Sequence, residues 1–260
     1  SPPPAVCATL TVQVPGAGRS LTIQNNGSLN VSGNAIIRAD NGNTGTASVI
    51  VGNAGTPGTL TVGGNLTLNG SSVLGPQQSV FTSTNTGNSV TVAGNLTIDP
   101  IGFLDLSGGA TGSTLSLGGD YTNNGTAAAF DEPGSTVSFN GPGPQSINTG
   151  SLFQEAFGNL AVNKPTDDLI LNTPVLVRTT LTLTSGRVFT NSTTGLLTLS
   201  GANPTAVTAT SYGPSFVHGP LVKSNLNASQ FRFPVGKGNL MRGVSVVGST
   251  VAGASDAFIA

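Results

Sequence analysis

Charged side chains are scarce in this sequence. Of 260 residues only 7% are Asp, Glu, Lys or Arg, and the formal net charge is −1. No basic stripe or arm is present, which argues against nucleic acid as a partner, and no acidic tail appears either. Tryptophan is absent, and histidine, methionine and cysteine occur once each. One His and one Cys are too few for a zinc site. No acid-rich loop of the kind that ligates Ca²⁺ is present, so no metal and no cofactor is expected. Cys7 has no second cysteine to pair with. It reads either as a small buried hydrophobe or as a disulfide partner for a cysteine outside the chain. No apolar run reaches the roughly 18 residues of a membrane span, so no transmembrane segment is expected. No signal peptide is seen. The opening Ser1-Pro-Pro-Pro4 reads as a mature end left by cleavage, and the apolar ending Phe258-Ile-Ala260 as a chain that continues.

Low charge here is not a sign of disorder, because 37% of residues are hydrophobic and the mean hydropathy is +0.14. Gly, Ser, Thr and Asn take the place of the charged residues, a composition that favours strands and turns over helices. The most informative stretch is Thr59-Leu-Thr-Val-Gly-Gly-Asn-Leu-Thr-Leu68. It holds two runs that alternate at period two, each the mark of a strand with one buried face, joined by Gly63-Gly64-Asn65. The pattern recurs at Leu29 to Asn34, Val90 to Ile98 and Leu115 to Asp120. The second turn residues are Gly33, Gly64, Gly94 and Gly119, followed by Asn34, Asn65, Asn95 and Asp120, at spacings of 31, 30 and 25 residues. Recurrence at that interval predicts a stacked repeat. The turn glycines are expected at equivalent corners, with positive φ as the reason for glycine.

The predicted fold is all-β: a parallel β-solenoid, right-handed by the general preference of parallel crossovers, with a less regular all-β C-terminal part. Three regions are expected. Residues 1–20 form an N-terminal extended segment or cap, 20–200 the solenoid, and 201–260 a C-terminal β region. The inward set should include Leu60, Val62, Leu66, Leu68, Val90, Val92, Leu96, Ile98, Leu115 and Leu117, because these hold one parity of each alternating run. Phe153-Gln-Glu-Ala-Phe157 reads as a short helical turn.

Several segments carry a resemblance. They are Tyr121-Thr-Asn-Asn-Gly125, Val137-Ser-Phe-Asn-Gly141, Phe157-Gly-Asn-Leu-Ala-Val-Asn-Lys164, Leu181-Thr-Leu-Thr-Ser-Gly186, Phe216-Val-His-Gly-Pro-Leu-Val-Lys223 and Phe233-Pro-Val-Gly-Lys-Gly238. Over about residues 115–250 the chain resembles the repetitive, adhesin-like secreted and surface proteins of Bacteroidetes-type bacteria, many of them cargo of type IX secretion. That likeness implies an extracellular, cell-surface location and a structural or adhesive role, and it transfers no catalytic residue.

The chemistry of an enzyme is hard to assemble from what remains. Glycoside hydrolysis needs two carboxylates at a fixed separation. Asp99 with Asp105, or Asp120 with Asp131, are the pairs on offer, but Asp99 precedes Pro100 and Asp120 replaces a turn Asn. No Gly-x-Ser-x-Gly elbow surrounds a serine, and His218 reads as part of a Gly-Pro turn. The expected function is therefore a non-enzymatic extracellular structural or adhesive protein, an adhesin stalk or fibre subunit. Self-association through strand-like ends is expected, with surface glycans as a further partner class. The strand with Leu10, Val12 and Val14 is the candidate assembly strand, having no obvious partner in the repeat. Two other readings stay open. One is an ice- or crystalline-surface-binding solenoid using Thr-x-Thr units such as Thr9-Leu-Thr11, Thr59-Leu-Thr61 and Thr180-Leu-Thr182. The other is a polysaccharide-active β-helix enzyme.

Overall fold

The computed structural model describes residues 4–14, 19–23, 26–39, 46–52, 56–69, 79–83, 87–106, 112–131, 134–150, 153–201, 207–209, 215–226, 229–248 and 256–259. Among the described residues all regular structure is β-strand, apart from one 3-10 turn at Ala127–Ala129. The architecture is a parallel β-solenoid. The chain forms two compact units, Ser1–Thr136 with Thr149–Ser151, and Val137–Asn148 with Leu152–Ala260. The division thus falls near residue 136, inside the stretch 20–200 read from the sequence as a single solenoid.

The first unit is a three-sided coil. One face stacks Ala5–Cys7, Ser28–Val31, Thr59–Val62, Ser89–Val92 and Thr114–Leu117. The second stacks Leu10–Val14, Ala35–Ala39, Leu66–Asn69, Leu96–Ile98 and Tyr121–Asn123. The third stacks Arg19–Ile23, Ala47–Val51, Ser79–Ser83, Gly102–Asp105 and Phe130–Asp131. All these pairings are parallel, and equivalent residues stand directly in register: Leu29, Leu60, Val90 and Leu115 form one row. The alternating sequence explains the burial. Every residue of the predicted inward set is at most 1% exposed, and each contributes about 1.5–3 kcal/mol of burial. The columns also show how unequal turns share one core. Ala35, Leu66, Leu96 and Tyr121 follow one another in register, and the Tyr121 ring meets Phe130 of the third face at 5.7 Å.

The predicted turn residues sit at one corner, between the first and second faces, but not for the reason the sequence suggests. None of Gly33, Gly64, Gly94 and Gly119 has positive φ. Glycine is required there because successive turns touch. Gly64 N–H donates to Gly33 O at 2.9 Å, Gly94 to Gly64 at 2.9 Å and Gly119 to Gly94 at 2.9 Å. A Cβ on Gly64 would run into Asn34 Oδ1 and come within 2.9 Å of Gly33 C. Beside the glycines runs an amide ladder. Asn34 Oδ1 accepts from Asn65 N, Asn65 Oδ1 from Asn95 N, and Asn95 Oδ1 from Asp120 N, each at 2.8 Å. Each corner is thereby tied to the next by a side chain as well as by backbone.

Residues 5–14, expected as part of an extended segment outside the repeat, are strands of the first turn. Leu10–Val14 has a partner after all: it pairs parallel with Ala35–Ala39 along its whole length. Val12 is buried and Leu10 half-buried, while the Val14 side chain lies outside the described residues.

In the second unit the turns change shape. Two strands are long, Glu155–Asn163 and Val175–Ser185. They pair with a register shift between Phe157 and Asn159, opposite Val177 and Thr180. A bulge of this kind bends a strand. The two halves of Val175–Ser185 then pair separately, with Leu197–Leu199 and with Val207–Ala209. Residues 153–157, expected as a helical turn, lead into and open the first long strand, with Glu155 and Phe157 buried. Ala156 between them is half-buried, the alternation of a strand that holds up to the bulge, and tertiary pairing overrides the short helical pattern. A second, short-strand face runs through Gln145–Thr149, Leu169–Leu171, Arg187–Phe189, Phe216–His218 and Val235–Lys237. The last strands reverse direction: Leu240–Met241, Val244–Val247 and Asp256–Ile259 pair antiparallel with Val235–Lys237, Gln230–Phe233 and Leu221–Leu226.

Gly64→Ala is expected to destabilise by about 1–3 kcal/mol, the usual cost of forcing atoms into packed space. Gly143→Ala is the control, since a Cβ there meets nothing within 4 Å. Urea unfolding followed by circular dichroism reads both, and equal midpoints would remove the stacking account of the corner glycines.

Candidate functional site

The short-strand face of the second unit gathers the polar and aromatic side chains that break the repeat pattern. Its inward positions are apolar: Leu169, Leu171, Val188 and Val217 are buried. The alternate positions form an outward row in register, Ile170, Phe189, His218 and Gly236. Parallel register places Phe189 and His218 one above the other, and their rings stack at 4.5 Å with an interplanar angle of 22°. Phe216 lies on the same side two residues earlier but is fully buried. Its ring fills the place where a side chain at Gly236 would point, 2.7 Å from a Cβ built there.

Next to this row stands the ion pair of Asp168 and Arg187, again on neighbouring strands. Arg187 Nη2 reaches Asp168 Oδ2 at 2.6 Å, while Arg187 Nε and backbone N both donate to Oδ1 at 2.9 Å. Arg187 Nη1 also donates to Gly238 O at 2.8 Å and to Asn239 Oδ1 at 3.2 Å. Its guanidinium sits 5.0 Å from the Phe189 ring centroid, a cation–π distance. Burial raises the pKa of Asp168, but the hydrogen bonds and positive charge of Arg187 outweigh it and hold the carboxyl below its ordinary value. The same contacts raise that of Arg187.

Two open clefts flank these residues. One, of about 420 Å³, is lined by His218, Gly219, Val235, Gly236, Lys237 and Arg242. The other, of about 230 Å³, lies against the Asp168–Arg187 pair and includes Lys164, Thr166, Asp167 and Asn239. The Lys164 ammonium is already fully engaged. Its Nζ donates to Gly141 O and Gln145 Oε1 at 2.7 Å each and to Gly143 O, and the residue is 1% exposed. Lys223 is similarly caged by Gly201 O and Ser224 O, over the Phe231 ring at 5.5 Å. Burial pushes its pKa below the usual lysine value. Both lysines act as pins that tie loops to strands.

The carboxylate pairs considered from sequence are distributed differently. Asp120 belongs to the corner ladder. Asp99 closes a turn, its carbonyl accepting from Gly102 N at 2.7 Å. Asp131 is the register neighbour of Asp105 on the third face, not of Asp120. The side chain of Asp131, with Asp40 and Glu132, lies outside the described residues. His218 ends a strand rather than forming part of a turn. The Asp168–Arg187 pair was not anticipated. Its signal was present: Asp168 precedes Leu169 and Arg187 precedes Val188, one turn apart once Leu169 and Val188 are aligned. Compared with protein-family models, with curated proteins and with solved structures, the chain matches none.

The lowered pKa of Asp168 gives a signed expectation. A carboxyl whose folded pKa lies below its unfolded value stabilises above the unfolded value, about 3.9. That contribution is lost as pH falls through the folded pKa. Thermal melts from pH 7 to pH 2 should therefore show a shallower acid limb for Asp168→Asn than for the parent below about pH 4. Parallel limbs would mean that the ion pair does not contribute to stability.

Proposed function

We propose that this chain is an extracellular structural or adhesive protein, an adhesin stalk or fibre subunit that associates through its strand edges. The observation that carries the reading is the first turn of the solenoid. Ala5–Cys7, Leu10–Val14 and Arg19–Ile23 each stand at the end of their sheet, and among the described residues nothing pairs with their outer sides. An unpaired ladder edge recruits strands, and strand addition is a recurrent way of joining chains. Val6, on the outermost strand, is 68% exposed. Resemblance to surface proteins of Bacteroidetes-type bacteria supports an extracellular location. The low charge supports contacts made by backbone and small polar groups, and no catalytic step is part of the reading.

Leu240–Met241 and Asp256–Ile259 also stand at the ends of their sheets, but as antiparallel returns that interrupt the parallel ladder, so the N-terminal edge is the favoured contact. Leu10 N–H points inward, to Asn34 O at 3.1 Å. Alternation along a strand turns the Thr11 N–H to the uncovered side. Two copies meeting edge to edge would close as a two-fold dimer, whereas an edge that accepts a foreign strand extends further. Each ladder hydrogen bond adds about 0.5–1.5 kcal/mol net.

One observation favours the ice- or crystal-surface reading as a second choice. The outward positions of the first face form two rows in register: Ser28, Thr59, Ser89, Thr114 and Asn30, Thr61, Thr91, Ser116. Small polar groups repeated at one interval can match a lattice, and thermal hysteresis is the direct measure of that activity.

For the leading reading, light scattering of the intact chain over a range of concentrations should show a mass above the monomer. Val6→Lys with Thr11→Pro, two edge-blocking changes, should return it to monomer while preserving the β-type circular dichroism spectrum. An intact chain that stays monomeric at the highest concentration would exclude association through this edge.

A further inference from the structure

Charge is divided unevenly between the two units. The first holds two basic and six acidic residues, the second seven basic and four acidic. Within the second unit three cations have partners already described. Lys164 and Lys223 are buried against backbone carbonyls, and Arg187 is matched by Asp168. Lys237 and Arg242 are different. Both are exposed, neither has a carboxylate partner among the described residues, and both line the cleft of about 420 Å³ beside His218. The nearby Asp168 carboxylate has both oxygens taken by Arg187.

The remainder of that cleft is suited to a ring. His218 contributes an imidazole fixed from behind by Phe189, at 4.5 Å. Gly219 and Gly236 contribute bare backbone, and Val235 an apolar wall. The volume lies in the range of small-ligand sites, about 300–1,000 Å³. A flat aromatic surface packs against the C–H face of a pyranose, and two unmatched cations select one that bears a negative group. The geometry points to a binding site for an acidic sugar residue, carboxylated or sulfated, within an extracellular polysaccharide. Lys237 and Arg242 receive the anion and His218 supports the ring. The choice of a polysaccharide rests on the extracellular reading above, whereas the preference for an anion rests on the cleft alone.

The test is affinity electrophoresis of the full-length chain through gels containing a polyuronate, a sulfated galactan or a neutral glucan. Retardation is expected in at least one acidic gel and not in the neutral one, and the two acidic gels identify whether the carboxylate or the sulfate is recognised. Lys237→Gln with Arg242→Gln should weaken retention at least tenfold, and His218→Ala should weaken it with the cations in place. Arg19→Gln with Arg38→Gln removes as much positive charge from the other unit and should leave retention unchanged. Retention lost equally in that control, retention unaffected by the cleft variants, or no retention in either acidic gel would overturn the proposal. Light scattering on the same samples reads association separately. A chain that associates but retains no acidic glycan refutes only the cleft, and one that binds glycan as a monomer refutes only the assembly.

Discussion

In-register stacking governs this molecule. Parallel strands of successive turns lie about 4.8 Å apart, and each residue stands on its equivalent in the turn below. What suits one position must therefore suit contact with a copy of its own kind. Leu, Val and Ile satisfy this inside, as the row Val31, Val62, Val92 and Leu117 shows. Ser, Thr and Asn satisfy it outside, where they can bond to one another or to water. A charged residue does not. Two like charges one rung apart repel by about 0.9 kcal/mol even in water, and a column of them adds that at every step. The scarcity of charge in the sequence fits this geometry, with the Asp105 and Asp131 rung as an exception.

The corner between the first two faces shows the same constraint acting on backbone. Gly33, Gly64, Gly94 and Gly119 were legible as equivalent turn residues, and in the structure each of the last three donates its N–H to the carbonyl of the one before it. The usual argument for glycine, freedom to take positive φ, does not apply to them. A sequence pattern reports that a side chain is excluded without reporting what excludes it. Here it is the turn below, with its Asn amide and its glycine carbonyl. The Asn that follows each glycine was legible too, but its bond to the next turn is an inter-turn contact that a one-dimensional reading does not display.

Legibility falls where the repeat interval changes. In the first unit the rungs of the first face lie 24, 31, 30 and 25 residues apart, but the Gly-Asn or Gly-Asp corner recurs in successive turns and the inward set could be named residue by residue. In the second, neighbouring rungs of the short-strand face are separated by 19 residues between Leu169 and Val188, and by 29 between Val188 and Val217. Alternation still marks Leu181 to Leu183 and Leu197 to Leu199 as strands, yet their neighbours cannot be assigned without the bulge at Phe157 to Asn159. The buried lysines were hidden for a related reason. Lys164 and Lys223 look like ordinary surface residues in sequence, and only the fold brings the carbonyls of Gly141, Gly143 and Gly201 to their ammonium groups.

Irregular stacking also permits chemistry. In a regular column a cation would face another cation, so the first unit holds few. Where successive turns differ in length and sequence, unlike residues become rung neighbours. Arg187 is stacked on Phe216 in register, with Asp168 beside it, and His218 is stacked on Phe189. The ladder that elsewhere demands sameness here joins an imidazole to a phenyl ring and a carboxylate to a guanidinium. The antiparallel return of Leu240–Met241 goes one step further: it ends the parallel ladder of this face and brings Arg242 to the cleft that Lys237 and His218 already line. The uniform stack supplies rigidity, and its interruption gives the second unit a site at which binding can be sought.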